Sequence, residues 1–166
     1  MAGQVTSNLN LVKEATLILN EVVSVNRSTL AGYTEVLGGK ADVIVANPYG
    51  ITCDGCGFIN TDRATLTTGT STIGIDGSLT GFTINSGDVL IGPQGIDATA
   101  QQVLDMVTRS VKIEGNINTS LTGNLGITTG NNSWNYDSRN TTGTVAGNGA
   151  ATSYAIDSSA LGGMYA

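Results

Sequence analysis

The residues best placed to do chemistry are two cysteines in "VANPYGITCDGCGFIN", Cys53 and Cys56, the only two in the chain. A Cys-x-x-Cys pair serves redox exchange when it follows a strand and opens a helix whose N-terminus stabilises a thiolate. The residues after this pair, "GFINTDRATL", are strand formers and turn residues. Zinc would need two more ligands, and with no further Cys and no His the site would have to be completed by carboxylates. The remaining readings are a local disulfide stapling a bend and a pair of small buried thiols. An oxidising compartment such as the bacterial periplasm favours the disulfide.

The absence of histidine also removes Ser-His-Asp triads and Cys-His dyads. Asp42, Asp54, Asp62, Asp76, Asp88, Asp97 and Asp105 occur singly among turn residues, where a carboxylate commonly accepts backbone hydrogen bonds. They read as turn and cap aspartates, and the chain reads as non-enzymatic, with no cofactor and no metal. A net charge of -6, from 13 acidic and 7 basic residues, repels a phosphate backbone and an anionic membrane, so neither nucleic acid nor a bilayer is an expected partner.

These residues must be positioned by a chain of 166 residues, enough to bury about 70% of the surface that the unfolded chain exposes. Apolar residues come in strand-sized runs, such as 43–45, 89–91 and 111–113, with Gly, Asn, Asp or Ser between most of them. The pattern predicts an all-β chain of many short strands. Asp76-Gly77 is one hairpin-loop candidate, but the irregular spacing elsewhere suits a coil of strands with loops of variable length. One segment predicts a short helix near 99–109: Thr99 and Gln102 fit a capping box, and Val103, Val107 and Val111 recur every four residues. Asn47-Pro48-Tyr49-Gly50 carries type I turn preferences at three of its four positions and predicts a preorganised corner between two sheet segments. We divide the chain into a core, 1–129, and a polar Gly- and Asn-rich extension, 130–166, which reads as a long excursion of the same fold or a poorly ordered tail and whose large anchors are Trp134 and Tyr136.

The stretch from Ile18 to Gly69 contains, in order, NE, a G-Y-E-V strand, ANP-G-I, G-GFIN and TLTTG. In this it resembles the secretion domain of the filamentous haemagglutinin family. These are the large exoproteins of two-partner secretion: adhesins, haemolysins and contact-dependent growth inhibition toxins. The similarity continues more loosely through "GIDATAQQVLDMVTRSVKI" and returns in "SALGGMYA". It implies a right-handed parallel β-helix, a β-solenoid, in which side chains such as Ile44, Ile73, Ile84, Ile91 and Ile113 stack inside. Arg63 and Arg109 are candidates to pair with turn aspartates.

The resemblance further implies a domain that is exported through the periplasm to the cell surface or beyond. A dedicated outer-membrane transporter captures it with its periplasmic domains, and its folding outside the cell nucleates the larger β-helix. Two family motifs are tied to capture, NPNL and NPNG. Asn47, Pro48, Tyr49 and Gly50 stand at the second, with Tyr49 in place of Asn; Asn8 and Asn10 stand at the first, with Leu9 in place of Pro. Members of the haemolysin and growth-inhibition type also carry a cysteine pair at this place, which supports a disulfide between Cys53 and Cys56. Family members begin with a signal peptide and a capping section, whereas "MAGQ" lacks the regions of a signal peptide, so the chain reads as an N-terminally truncated fragment. Such an uncapped helix is expected to be marginally stable, to self-associate or to pair with the missing segment. The rival functions are a carbohydrate-active β-helix enzyme, which needs paired carboxylates, and a direct adhesin segment.

Overall fold

A strand-sized apolar run that ends in Gly, Asn or Asp can turn and stack on the run before it, and the described residues do this through five successive coils. The computed structural model describes residues 13–158 and 163–165. The first coil holds β1 (Leu17–Glu21), β2 (Ser28–Leu30) and β3 (Tyr33–Glu35); the second holds β4 (Asp42–Ala46), β5 (Ile51–Cys53) and β6 (Cys56–Ile59). The third begins with β7 (Arg63–Thr67), makes an excursion through β8 (Thr70–Ile73) and β9 (Leu79–Ile84), and resumes with β10 (Val89–Ile91) and β11 (Ile96–Ala98). The fourth is β12 (Val103–Thr108), β13 (Val111–Ile113) and β14 (Asn116–Thr119). The fifth opens with β15 (Asn124–Thr129), leaves through β16 (Asn132–Asn135) and β17 (Asn140–Thr144), and returns as β18 (Ile156–Ser158) and β19 (Gly163–Tyr165).

Each coil places one strand in each of three parallel five-stranded sheets: A (β1-β4-β7-β12-β15), B (β2-β5-β10-β13-β18) and C (β3-β6-β11-β14-β19). The architecture is a parallel β-helix. Registry aligns the inward side chains in columns: Val43, Ala64, Leu104 and Leu125 on sheet A, Val89 between Ile51 and Val111 on sheet B, and Ile96 between Cys56 and Ile117 on sheet C. Nearly all of these are fully buried, and each such Val, Ile or Leu contributes about 1.5–3 kcal/mol of burial.

A fourth sheet, β17-β16-β9-β8, is antiparallel and lies outside the coil. Its two halves come from coils three and five and meet where β9 pairs β16. It covers the outer face of sheet A, so that Ile44, Ala46 and Val107 form a second core with Phe82, Ile84, Trp134 and Tyr136. Two expectations change here. Ile44 and Ile84 are buried between the sheets and not in the lumen, and Ile73, at the tip of the β8–β9 hairpin, is half exposed. The hairpin itself does form at Asp76-Gly77, with Gly77 donating to the Gly74 carbonyl at 3.0 Å and Asp76 capping Ser78.

The helix expected near 99–109 does not form: among the described residues there is no helix, and Val103–Thr108 is strand β12. A recurrence of four residues fits period 2 as well as period 3.6, so Val103 and Val107 share a strand's outer face. The supposed cap is a bend in which Asp97 Oδ1 accepts from the Thr99 N–H (3.0 Å) and hydroxyl (2.6 Å). Gln101, 2% exposed, turns inward and donates to the Phe58 and Thr61 carbonyls.

Candidate functional site

Pro48 fixes φ at the second position of the corner and Asn47 supplies a side chain able to bond its own turn, so β4 ends in a tight bend into β5. The Gly50 N–H donates to the Asn47 carbonyl at 3.0 Å, and the Tyr49 N–H donates to Asn47 Oδ1 at 2.9 Å. Asn47 Nδ2 donates to the Asn26 carbonyl (2.9 Å) and to Ser28 Oγ (2.8 Å), tying coil two to coil one. Asn47 is therefore fully buried, with both ends of its amide satisfied inside the protein. Gly50 has φ +104°, a conformation that disfavours any Cβ, and a Cβ there would lie 2.5 Å from Arg27 Nη1. Arg27 in turn holds Asp88 through both guanidinium ends (2.9 and 2.8 Å) and donates to the Ile51 carbonyl.

The outward side of the same corner is different in kind. Tyr49 is 52% exposed and Val23 91% exposed. With Pro48, Val22, Glu21 and Ser86 they line a groove of about 560 Å³, and Asn148 reaches it from coil five. The corner thus combines a buried polar anchor with an exposed aromatic and apolar rim.

Cys53 and Cys56 form a disulfide across the bend from β5 to β6, with Cα atoms 5.3 Å apart. Both are buried in the lumen, so the bond staples the coil that carries the corner. Asp54 lies between them and caps the Gln94 N–H of coil three at 2.8 Å. Asn8 and Asn10 lie outside the described residues.

The carboxylates have other roles than chemistry among themselves, and not all are in turns. Asp97, on the outer face of β11, accepts from the Tyr33 hydroxyl at 2.7 Å, made possible because Gly57 leaves room for the ring. The bonds from Thr99 and then Tyr33 hold the Asp97 carboxyl below its ordinary range, and Asp97 raises the Tyr33 phenol. Asp105, expected in a turn, sits in strand β12 at 2% exposure and is paired by Arg63 (3.2 Å) and Arg139 (2.7 Å). The Arg63 guanidinium lies 3.7 Å from the centre of the Tyr136 ring, and burial pushes the Tyr136 phenol well up. Arg109 bonds no aspartate among the described residues; it donates to the carbonyls of Asn148 and Ala150. Sequence reasoning missed Asp105 and Arg139 as partners, because their spacing of 34 residues carries no local signal. No three carboxylates or cysteines converge as a metal site among the described residues.

Comparison with known proteins matches residues 3–166 to the model of the TPS secretion domain. A tRNA nuclease CdiA of Escherichia coli (strain STEC_O31) is 44% identical over all of this chain, and Toxin CdiA of Yersinia pestis is likewise 44% identical over all of it. The chain spans only 5% of the length of either relative. The crystal structure of the filamentous hemagglutinin secretion domain superposes with a TM-score of 0.88 at 37% identity, over 97% of this chain and 55% of that one. This chain, a parallel β-helix of five coils among its described residues with a disulfide in the second of them, and similar throughout to these exoproteins of two-partner secretion, belongs to the TPS secretion domain family, whose members are exported through the periplasm to the cell surface.

Proposed function

We propose that this domain is the part of a large exoprotein that a dedicated outer-membrane transporter captures with its periplasmic domains, and that its folding outside the cell nucleates a longer β-helix. The domain itself is a binding and folding module without catalysis; the nuclease and toxin names belong to relatives of which it matches about one-twentieth. The observation that carries this reading is the two-sided corner at Asn47. A buried amide fixes the turn, and the turn holds Tyr49 outward beside Pro48 and Val23. Within the motif Asn47-Pro48-Tyr49-Gly50, Asn47 is then a positioning residue and Tyr49 the contacting one. An exposed tyrosine suits that part, since it offers a large rigid ring at small cost in side-chain entropy and a polar tip at the rim. Nucleation by the coils follows from stacking, because each completed coil offers three strand edges to the next.

The test is the affinity of the domain for the purified periplasmic domains of the transporter encoded beside it, for the unmodified chain, Tyr49→Ala and Asn47→Ala. Saturable binding that Tyr49→Ala weakens at least about tenfold with an unchanged melting curve supports the reading; tenfold is the loss of about 1.4 kcal/mol, within the range of an aromatic anchor. Absence of binding by a folded sample, or binding indifferent to Tyr49→Ala and to Val23→Ser, refutes it.

A further inference from the structure

In a solenoid each coil touches only the coils beside it, so stability is a sum of local terms and a terminal coil can fray alone. The segment from Gly130 to Ala150 breaks that rule. Both of its feet rest on one residue. The Gly130 N–H donates to the Arg109 carbonyl at 3.1 Å, and the Arg109 guanidinium donates to the carbonyls of Asn148 (2.8 Å) and Ala150 (2.6 Å). Between the feet, β16 joins β9 of coil three. Trp134 packs against Phe82 and Tyr136, and the Tyr136 hydroxyl donates at 3.1 Å to Asp42 of coil two, 94 residues earlier.

Charge makes the closure specific. Arg63 and Asp105 stand on neighbouring strands of sheet A and form a pair under the segment. Arg63 meets Asp105 only at 3.2 Å, and the segment brings the closer partner: Arg139 donates to both Asp105 oxygens and to Asn124 Oδ1, while Arg63 donates to the Tyr136 carbonyl at 2.8 Å. Two-pronged bonds between guanidinium and carboxylate are the strong kind, and these form only when the segment is seated.

We propose that residues 130–150 are a strap whose closure over sheet A makes the five coils one cooperative unit, so that β4 of the second coil is protected only when Trp134, Tyr136 and Arg139 are seated. Until the strap closes, the apolar face of Leu19, Ile44, Ala46 and Val107 has Phe82 and Ile84 of β9 upon it but lacks Trp134 and Tyr136. The inference concerns folding alone and stands independently of what the corner at Asn47 binds.

Hydrogen exchange on the whole chain tests it. Arg139→Met removes the arriving cation, and Gly81→Ala puts a Cβ against the Trp134 carbonyl oxygen without touching coils one or two. In both variants exchange within Asp42–Ala46 is expected to rise about tenfold or more, in step with Asn132–Asn135. Deprotection of Asn132–Asn135 with unchanged protection of Asp42–Ala46 would overturn the proposal, as would unchanged protection of both. Should the variants fail to fold, the unmodified chain decides: in low urea the amides of β4 and β16 must converge on one opening free energy, and separate values refute a cooperative strap.

Discussion

Replacing Asn47 by alanine is expected to cost the fold about 2–4 kcal/mol. The side chain makes three hydrogen bonds, to the Asn26 carbonyl, to Ser28 Oγ and from the Tyr49 N–H, at full burial. Each such bond is worth about 1 kcal/mol net, and a group left buried without its partner costs about 1–3 kcal/mol. The Ser28 hydroxyl oxygen can turn toward another donor, but the Asn26 carbonyl and the Tyr49 N–H are fixed in the backbone and are left without their partner. Against a total stability of about 5–15 kcal/mol, this is a large fraction. Urea unfolding followed by circular dichroism measures it directly, and Asn47→Asp separates the two ends of the amide. Aspartate keeps an acceptor for the Tyr49 N–H but turns a carboxylate oxygen toward the Asn26 carbonyl, so it should be no better tolerated than alanine. Tyr49→Ala, at a half-exposed position two residues on, should stay within about 0.5 kcal/mol of the unmodified chain. A loss below about 1 kcal/mol for Asn47→Ala would refute the view that this amide holds the corner.

Three further outcomes are expected. Replacing Cys53 and Cys56 together by alanine should lower stability by about 2 kcal/mol in an unfolding titration, the loop-closure entropy of a four-residue ring, and a larger loss would mean that packing in the lumen dominates. In an NMR titration Asp97 should ionise below, and the Tyr33 phenol above, the ordinary values of about 3.9 and 10. The lowered Asp97 favours the folded state above the ordinary carboxylate value, a contribution lost as pH falls through its folded pKa. The raised Tyr33 favours it below pH about 10 and ceases to do so as pH rises through its own. Tyr33→Phe should move Asp97 upward by less than Thr99→Ala does, and no movement with either would refute the assigned causes. Gly50→Ala should cost at least about 1 kcal/mol from the positive φ alone, and Arg27→Ala in the same chain should recover only the part due to crowding of the guanidinium.

The coil was legible because its inward columns demand apolar residues at alternate positions of very short strands, and runs such as Val89–Ile91 and Val111–Ile113 meet that demand with nothing else in the sequence to compete. The corner was legible for a local reason too, since Asn, Pro and Gly act within four residues. What local reasoning cannot see is a partner many residues away. Val103 and Val107 look helical because a spacing of four satisfies both periods, and only the pairing of β12 with β7 and β15 selects the strand. Ile44 looks like lumen until a sheet from residues 70–84 and 132–144 covers the other face. Asp105 looks like a turn aspartate because neither Arg63 nor Arg139 is near it in the chain. The Asn8 and Asn10 motif falls outside the described residues.

The corner and the strap divide the polar residues of this chain by purpose. Where a polar side chain acts within its own coil or the next, as Asn47 and Asp54 do, neutral or singly charged groups suffice, and each bond fixes a turn. Where the fold joins coils that are not neighbours, charged groups and aromatic rings add to the pairing of β9 with β16, because they carry much energy per residue against the entropy of ordering an excursion: Arg27 holds Asp88, Tyr33 reaches Asp97, Arg63 donates to the Tyr136 carbonyl and Tyr136 donates to Asp42. Sequence composition reflects that division. A chain that is only 12% charged gathers two half-buried arginines around one buried carboxylate, Asp105, at the place where stacking alone does not hold sheet to sheet.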